Sequence, residues 1–163
     1  MSTKVAITES LRQANNVCSA YLEDLTDAEL LARPLPGVNH LAWQLGHLIS
    51  AENWMIETIL PGSMPALPAG FKEKHSGDTA GSDDPKVFSA KAEYLKLAGE
   101  QRAATLAALE KLSDDDLGKP TPESLNWAGE TLTSVFVMQA THWLMHAGQW
   151  AVTRRKLGRE PLF

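Results

Sequence analysis

One cysteine, Cys18, is all that 163 residues supply, so no internal disulfide can form. A reducing, cytoplasmic setting is the expectation that follows. No run approaches the roughly 18 apolar residues that a membrane-spanning helix requires. The opening Met1-Ser2-Thr3-Lys4 leads into no apolar stretch, so a secretory signal is not expected. Positive charge is scarce, with 15 Lys and Arg against 20 Asp and Glu and a formal net charge of −5. Only Arg154-Arg155-Lys156 gathers it. Neither nucleic acid nor an anionic membrane is therefore an expected partner. Runs in which β-branched and polar residues alternate are almost missing, which excludes a β fold. The composition that remains, 44% hydrophobic and 21% charged, is that of an ordinary folded domain. Residues 1–163 are expected to form one such domain around a proper core.

Helical periodicity appears four times. Leu11, Ala14, Cys18, Tyr21, Leu22 and Leu25 step by threes and fours within a first helix over about 4–24. A second is predicted from His40 to Leu60, with Asn39 as its N-cap and Pro61-Gly62 as its stop. For the third, Asp84 reads as the cap and Pro85 as the first helical residue, with Phe88, Ala92, Leu95, Ala98, Leu106 and Leu109 on its apolar face. The fourth begins near Thr131 or Thr133 and reaches Leu157, with Gly158 as its C′ residue and Pro161 beyond. Arg154, Arg155 and Lys156 then lie in its last turn, where cations suit the helix dipole.

The fold class expected is all-α, a four-helix bundle. Residues 61–84, rich in Pro and Gly, form a long crossover that lets the second and third helices run parallel. A weak repeat fits that topology. Leu25-Thr26-Asp27-Ala28-Glu29-Leu30 and Leu112-Ser113-Asp114-Asp115-Asp116-Leu117 each read as a capped helical turn, followed by a proline and then a tryptophan.

Several sites of known chemistry are missing. There is no Gly-rich phosphate loop, no Gly-x-Ser-x-Gly and no His-Glu-x-x-His, because Trp143 stands where that glutamate would be. No Glu-x-x-His occurs, which argues against a ferritin-like di-iron bundle. Cys18 lies among apolar positions and reads as core. The five histidines hold the interest. His142 and His146 share one helix face and can chelate a metal, although the same pair fits two half-exposed rings beside Trp143 and Trp150. His47 sits mid-helix on a mixed face, so its ring is expected to be at least half buried and to need partners. Gly46 beside it and Gly148 beyond His146 suggest close approach by a ligand or another part of the chain. His40, seven residues before His47, reads as a helix-start residue or one that supports the ligands rather than a fourth ligand, and His75 as a solvated residue of the crossover. Gln149 could orient a ligand or simply pack. The five tryptophans could wall a pocket but fit a bundle core better.

Trp43-Gln44-Leu45-Gly46-His47-Leu48 resembles the second helix of the DinB-like (DinB/YfiT) four-helix bundle family. His142-x-x-x-His146-Ala147-Gly148-Gln149 resembles its fourth-helix motif, and the ending from Arg154 to Phe163 is similar too. The resemblance covers nearly the whole chain. It implies a divalent metal, usually zinc or nickel, held by His47, His142 and His146 with water in the open positions. It also implies a homodimer acting on a small-molecule substrate of unspecified identity. Characterised relatives include thiol-dependent transferases and an isomerase using a low-molecular-weight thiol. Independently, three neutral imidazoles suit Zn, Ni or Fe(II) and leave sites free for catalysis. The expected chemistry is thiol transfer, with metal-dependent hydrolysis or a non-catalytic metal-binding scaffold as alternatives.

Overall fold

The computed structural model describes residues 2–163. Its helices are α1 (Thr3–Leu22), α2 (Asp27–Leu30), α3 (Leu41–Ile59), α4 (Lys91–Lys111), α5 (Asp114–Leu117) and α6 (Leu132–Lys156). Short 3-10 turns at Glu73–His75, Gly77–Thr79 and Glu123–Ala128 punctuate the connections. The architecture is all-helical. The four long helices, α1, α3, α4 and α6, form the bundle, and among the described residues the one β element is an isolated antiparallel bridge between Pro120 and Thr131. No described helix is long and apolar enough to cross a membrane.

The core falls into two clusters that reveal the helix directions. One joins Cys18 and Leu22 of α1, Leu41 and Leu45 of α3, Tyr94 and Leu97 of α4, and Trp150 of α6. The other joins Ile7 and Leu11, Met55 and Ile56, Ala108 and Leu109, and Val135 and Phe136. The end of α1 thus meets the starts of α3 and α4 and the end of α6. Helices α3 and α4 run parallel to each other and antiparallel to α1 and α6, as the crossover predicts.

Both short acidic turns are built as expected. Thr26 and Glu29 form a reciprocal capping box at α2, and Ser113 and Asp116 do so at α5. Gly158 adopts φ +74 after α6, a left-handed conformation that costs glycine little.

Two expectations fail locally. The cap of α3 is His40, whose Nδ1 accepts the Trp43 N–H at 3.1 Å, rather than Asn39. Helix α4 starts at Lys91 and not at Pro85. Asp84 closes only a turn, accepting the Lys86 N–H at 3.0 Å. Phe88 leaves the expected helical face to pack edge-on against His40, with centroids 4.5 Å apart. The α4 terminus is satisfied from a distance, by Asp27 Oδ1 accepting the Lys91 N–H at 2.7 Å. The Lys91 ammonium in turn donates to the carbonyls of Leu22, Glu23 and Leu25 at the end of α1. Arg154, Arg155 and Lys156 lie in the last turn of α6 as expected, and Arg154 has a further role. It is 3% exposed and forms an ion pair with Asp24 that ties α6 to the end of α1.

Candidate metal centre

Helix α3 carries His47 and helix α6 carries His142 and His146. The antiparallel packing of these helices brings the three rings together. Centroids lie 5.2 Å apart for His47 and His142, 5.6 Å for His47 and His146, and 5.0 Å for His142 and His146. One potential ligand atom from each lies within 4.8 Å of the others, so the group could hold a metal ion. His146 is buried, and the other two rings are half buried. Burial, reinforced by the neighbouring imidazoles, pulls the pKa of both His142 and His146 down to about 4. Burial lowers that of His47 as well. All three are neutral near pH 7, the state in which imidazole binds a metal.

Each ring is held by its surroundings. The indole of Trp43 stacks on His47 with centroids 5.1 Å apart and planes 8° from parallel. Trp43 is itself fixed by its Nε1–H donating to Ser76 O at 3.0 Å. His146 Nδ1 lies 2.8 Å from Gln44 Oε1, which also accepts the Trp150 Nε1–H at 2.9 Å. The Gln44 amide nitrogen donates to Asn39 O at 2.6 Å and to Gln149 Oε1 at 3.2 Å. This network assigns Gln44 Oε1 as an acceptor only, so His146 Nδ1 carries the proton and Nε2 keeps the lone pair. A ring oriented in this way is prepared for a metal at Nε2.

Gln44 is the residue that sequence reasoning missed. Its signal was available, since it precedes His47 by three and shares its face. Gln149 acts one step further away, through Gln44, rather than on a ligand directly.

The other two histidines are elsewhere. His40 is fully buried and spends both nitrogens, one as the α3 cap and the other on Ser82 O at 3.1 Å. His75 is not solvated, being 3% exposed. Its Nδ1 lies 2.7 Å from Phe71 O, and its Nε2 lies 2.7 Å from the Tyr94 hydroxyl. Its ring fills the space where a side chain on residue 46 would sit, which is the close approach that Gly46 permits. No part of this chain comes within 4 Å of the corresponding position at Gly148.

Glu52 lies on α3 but faces away from the histidines into the core. It accepts hydrogen bonds from Thr105 Oγ1 at 2.7 Å, Arg102 Nη2 at 3.0 Å and Trp143 Nε1 at 3.0 Å. Burial pushes its carboxyl pKa up, and these three donors oppose that shift. The tryptophans divide by role. Trp143 and Trp150 are core, whereas Trp54 and Trp127 line an open cavity beside His47 and His142. Cys18 is core as expected, and burial raises its thiol to about 12.

The sequence profile described as the DinB superfamily matches residues 10–150. No curated protein matches the chain. The crystal structure of a conserved protein from Enterococcus faecalis has a similar fold, with a TM-score of 0.70 and 18% identity, covering 98% of this chain and 99% of the other.

Proposed function

This chain belongs to the DinB superfamily, and from that premise we propose that it is a metal-dependent enzyme carrying out thiol-dependent transfer at His47, His142 and His146. The observation that carries this reading is the convergence of three neutral imidazoles with no protein anion among them. That donor set suits zinc or nickel and leaves coordination positions open. Bound there, a divalent metal supplies the Lewis acidity that lets a low-molecular-weight thiol ionise near neutral pH. Gln44 fixes the His146 tautomer, and Trp43 fixes the His47 ring. No carboxylate lines the adjoining cavity, and Glu52 is occupied in the core. The hydrolytic alternative needs a base near its water, so transfer to a small electrophile is the better fit.

A homodimer is part of the proposal. Val137, Leu144 and Val152 are exposed along one stripe of α6 and would be covered by a second copy. The same stripe favours the second reading, a non-catalytic metal-binding dimeric module. Elemental analysis of untagged protein, followed by incubation with an electrophile with and without a thiol, separates the readings. Metal in the protein and thiol-requiring conversion that His146→Ala abolishes would support transfer. Conversion in water alone would favour hydrolysis. Bound metal with no conversion across a broad panel would favour the module.

A further inference from the structure

The metal-facing stripes of two helices continue past the histidines. On α3 the positions His47, Ser50, Ala51, Trp54 and Met55 follow the i, i+3, i+4, i+7, i+8 pattern of one face. On α6, Met138, Thr141, His142 and Met145 do the same. Together with Lys72 and Trp127 they wall a cavity of about 700 Å³, within the roughly 300–1,000 Å³ of small-molecule sites. Trp54 is 43% exposed, Trp127 57% and Met145 60%, so indole and thioether surfaces face open space. Trp127 has already used its Nε1–H on Ser124 O at 3.2 Å, which leaves its apolar faces available. Planar rings stack on such faces, and thioethers favour aromatic edges.

One charged feature stands out in this apolar wall. Lys72 is the one charged residue lining it, and among the described residues its ammonium makes no ion pair or hydrogen bond. Glu57 lies close enough to feel its charge. The Glu57 carboxylate, however, is held by the Gly62 and Met64 N–H groups at 2.6 and 3.1 Å.

We infer that this cavity binds a small aromatic molecule carrying one anionic group, with the ring against Trp54, Trp127 and the methionines and the anion at Lys72. The occupant's reactive end faces His47 and His142, a point that rests on the proposed metal-site reading. Binding itself does not depend on that reading.

The test uses three probes of one shape, 2-naphthoate, 2-naphthalenemethanol and 2-naphthylmethylammonium. Each is titrated calorimetrically into the protein as purified and after metal removal by chelation. The expected result is one site per chain with naphthoate bound about tenfold or more tighter than the ammonium. Lys72→Gln should reduce that preference to less than about threefold and leave the alcohol unchanged. Trp127→Ala, at an exposed position, should weaken all three by about tenfold. Equal affinity for the three probes, or an anion preference that survives Lys72→Gln in metal-free protein, would overturn the inference. So would absent binding in a dimer whose Trp54 and Trp127 are shielded from a collisional quencher. Metal content of the same samples separates the two readings. In the protein as purified, bound metal without naphthoate binding defeats the cavity alone, and naphthoate binding without any bound metal, even after incubation with zinc, defeats the metal site alone.

Discussion

Gln44 shows how much a single side chain decides here. Its carbonyl oxygen accepts from His146 and Trp150, and its amide nitrogen donates to Asn39 and Gln149. Replacing it by alanine frees the His146 ring and should weaken zinc binding about 10–100-fold, the usual cost of losing an orienting partner. Competition with a chromophoric chelator would measure this, and unchanged affinity would show that the orientation comes from elsewhere. The histidines themselves make the sharper contrast. His142→Ala and His146→Ala should each lose the metal, whereas His75→Ala should keep one metal per chain despite its buried ring. Equal metal content in all three variants would remove the site from these residues.

Between helices, buried contacts set the angles that bring the rings together. Glu52 of α3 accepts from Thr105 and Arg102 of α4 and from Trp143 of α6, so one carboxylate joins three helices. Glu52→Gln leaves the Arg102 charge buried and uncompensated, and a loss of about 3–5 kcal/mol is expected in urea unfolding. A change below about 1 kcal/mol would mean that water already reaches the pair. Gly46 is a second such contact. Alanine would gain about 1 kcal/mol of helix propensity in isolation. Here its methyl would overlap the His75 ring and force the crossover away from α3. Gly46→Ala is therefore expected to destabilise by about 1–3 kcal/mol. In the His75→Ala background the same change should cost little or nothing further, and that non-additivity would confirm the cause.

For the molecule as a whole, the buried histidines dictate a response to acid. Burial lowers the pKa of His40 and His75, and that of His142 and His146 to about 4. The unfolded chain, with histidines near 6.5, binds more protons than the folded one between those limits. Stability should then fall as pH drops below about 6.5 and go on falling toward about 4. Asp24 and Glu29 act in the same direction further down. The guanidinium of Arg154 beside Asp24, and the Thr26 N–H on Glu29, hold both carboxyls at about 2. Their contribution is present above the ordinary carboxylate range and is lost as pH falls through it. Urea midpoints taken from about pH 7 down to pH 4 would check this, and a flat profile would mean that the histidines are hydrated. Zinc in about 100-fold excess over its dissociation constant should raise stability by about 2.7 kcal/mol in the wild type and not in His146→Ala. Light scattering should return twice the chain mass if the exposed α6 stripe pairs two copies.

Local pattern alone determined the all-helical class, the four long helices, both capped acidic turns and the shared face of His142 and His146, while the resemblance to the DinB-like family joined His47 to that pair. Those features depend on periodicities and caps a few residues long, which neighbouring residues specify. Tertiary structure decided the rest. Helix α4 begins at Lys91 because Asp27, remote in sequence, accepts its first N–H. His75 is buried because Gly46 leaves room on α3 and Tyr94 on α4 supplies a partner. Arg154 is ordered by Asp24 at the far end of the chain. Gln44 orients His146 only because α3 and α6 pack antiparallel. Each depends on groups far apart in the chain, and no window of neighbouring residues contains both partners.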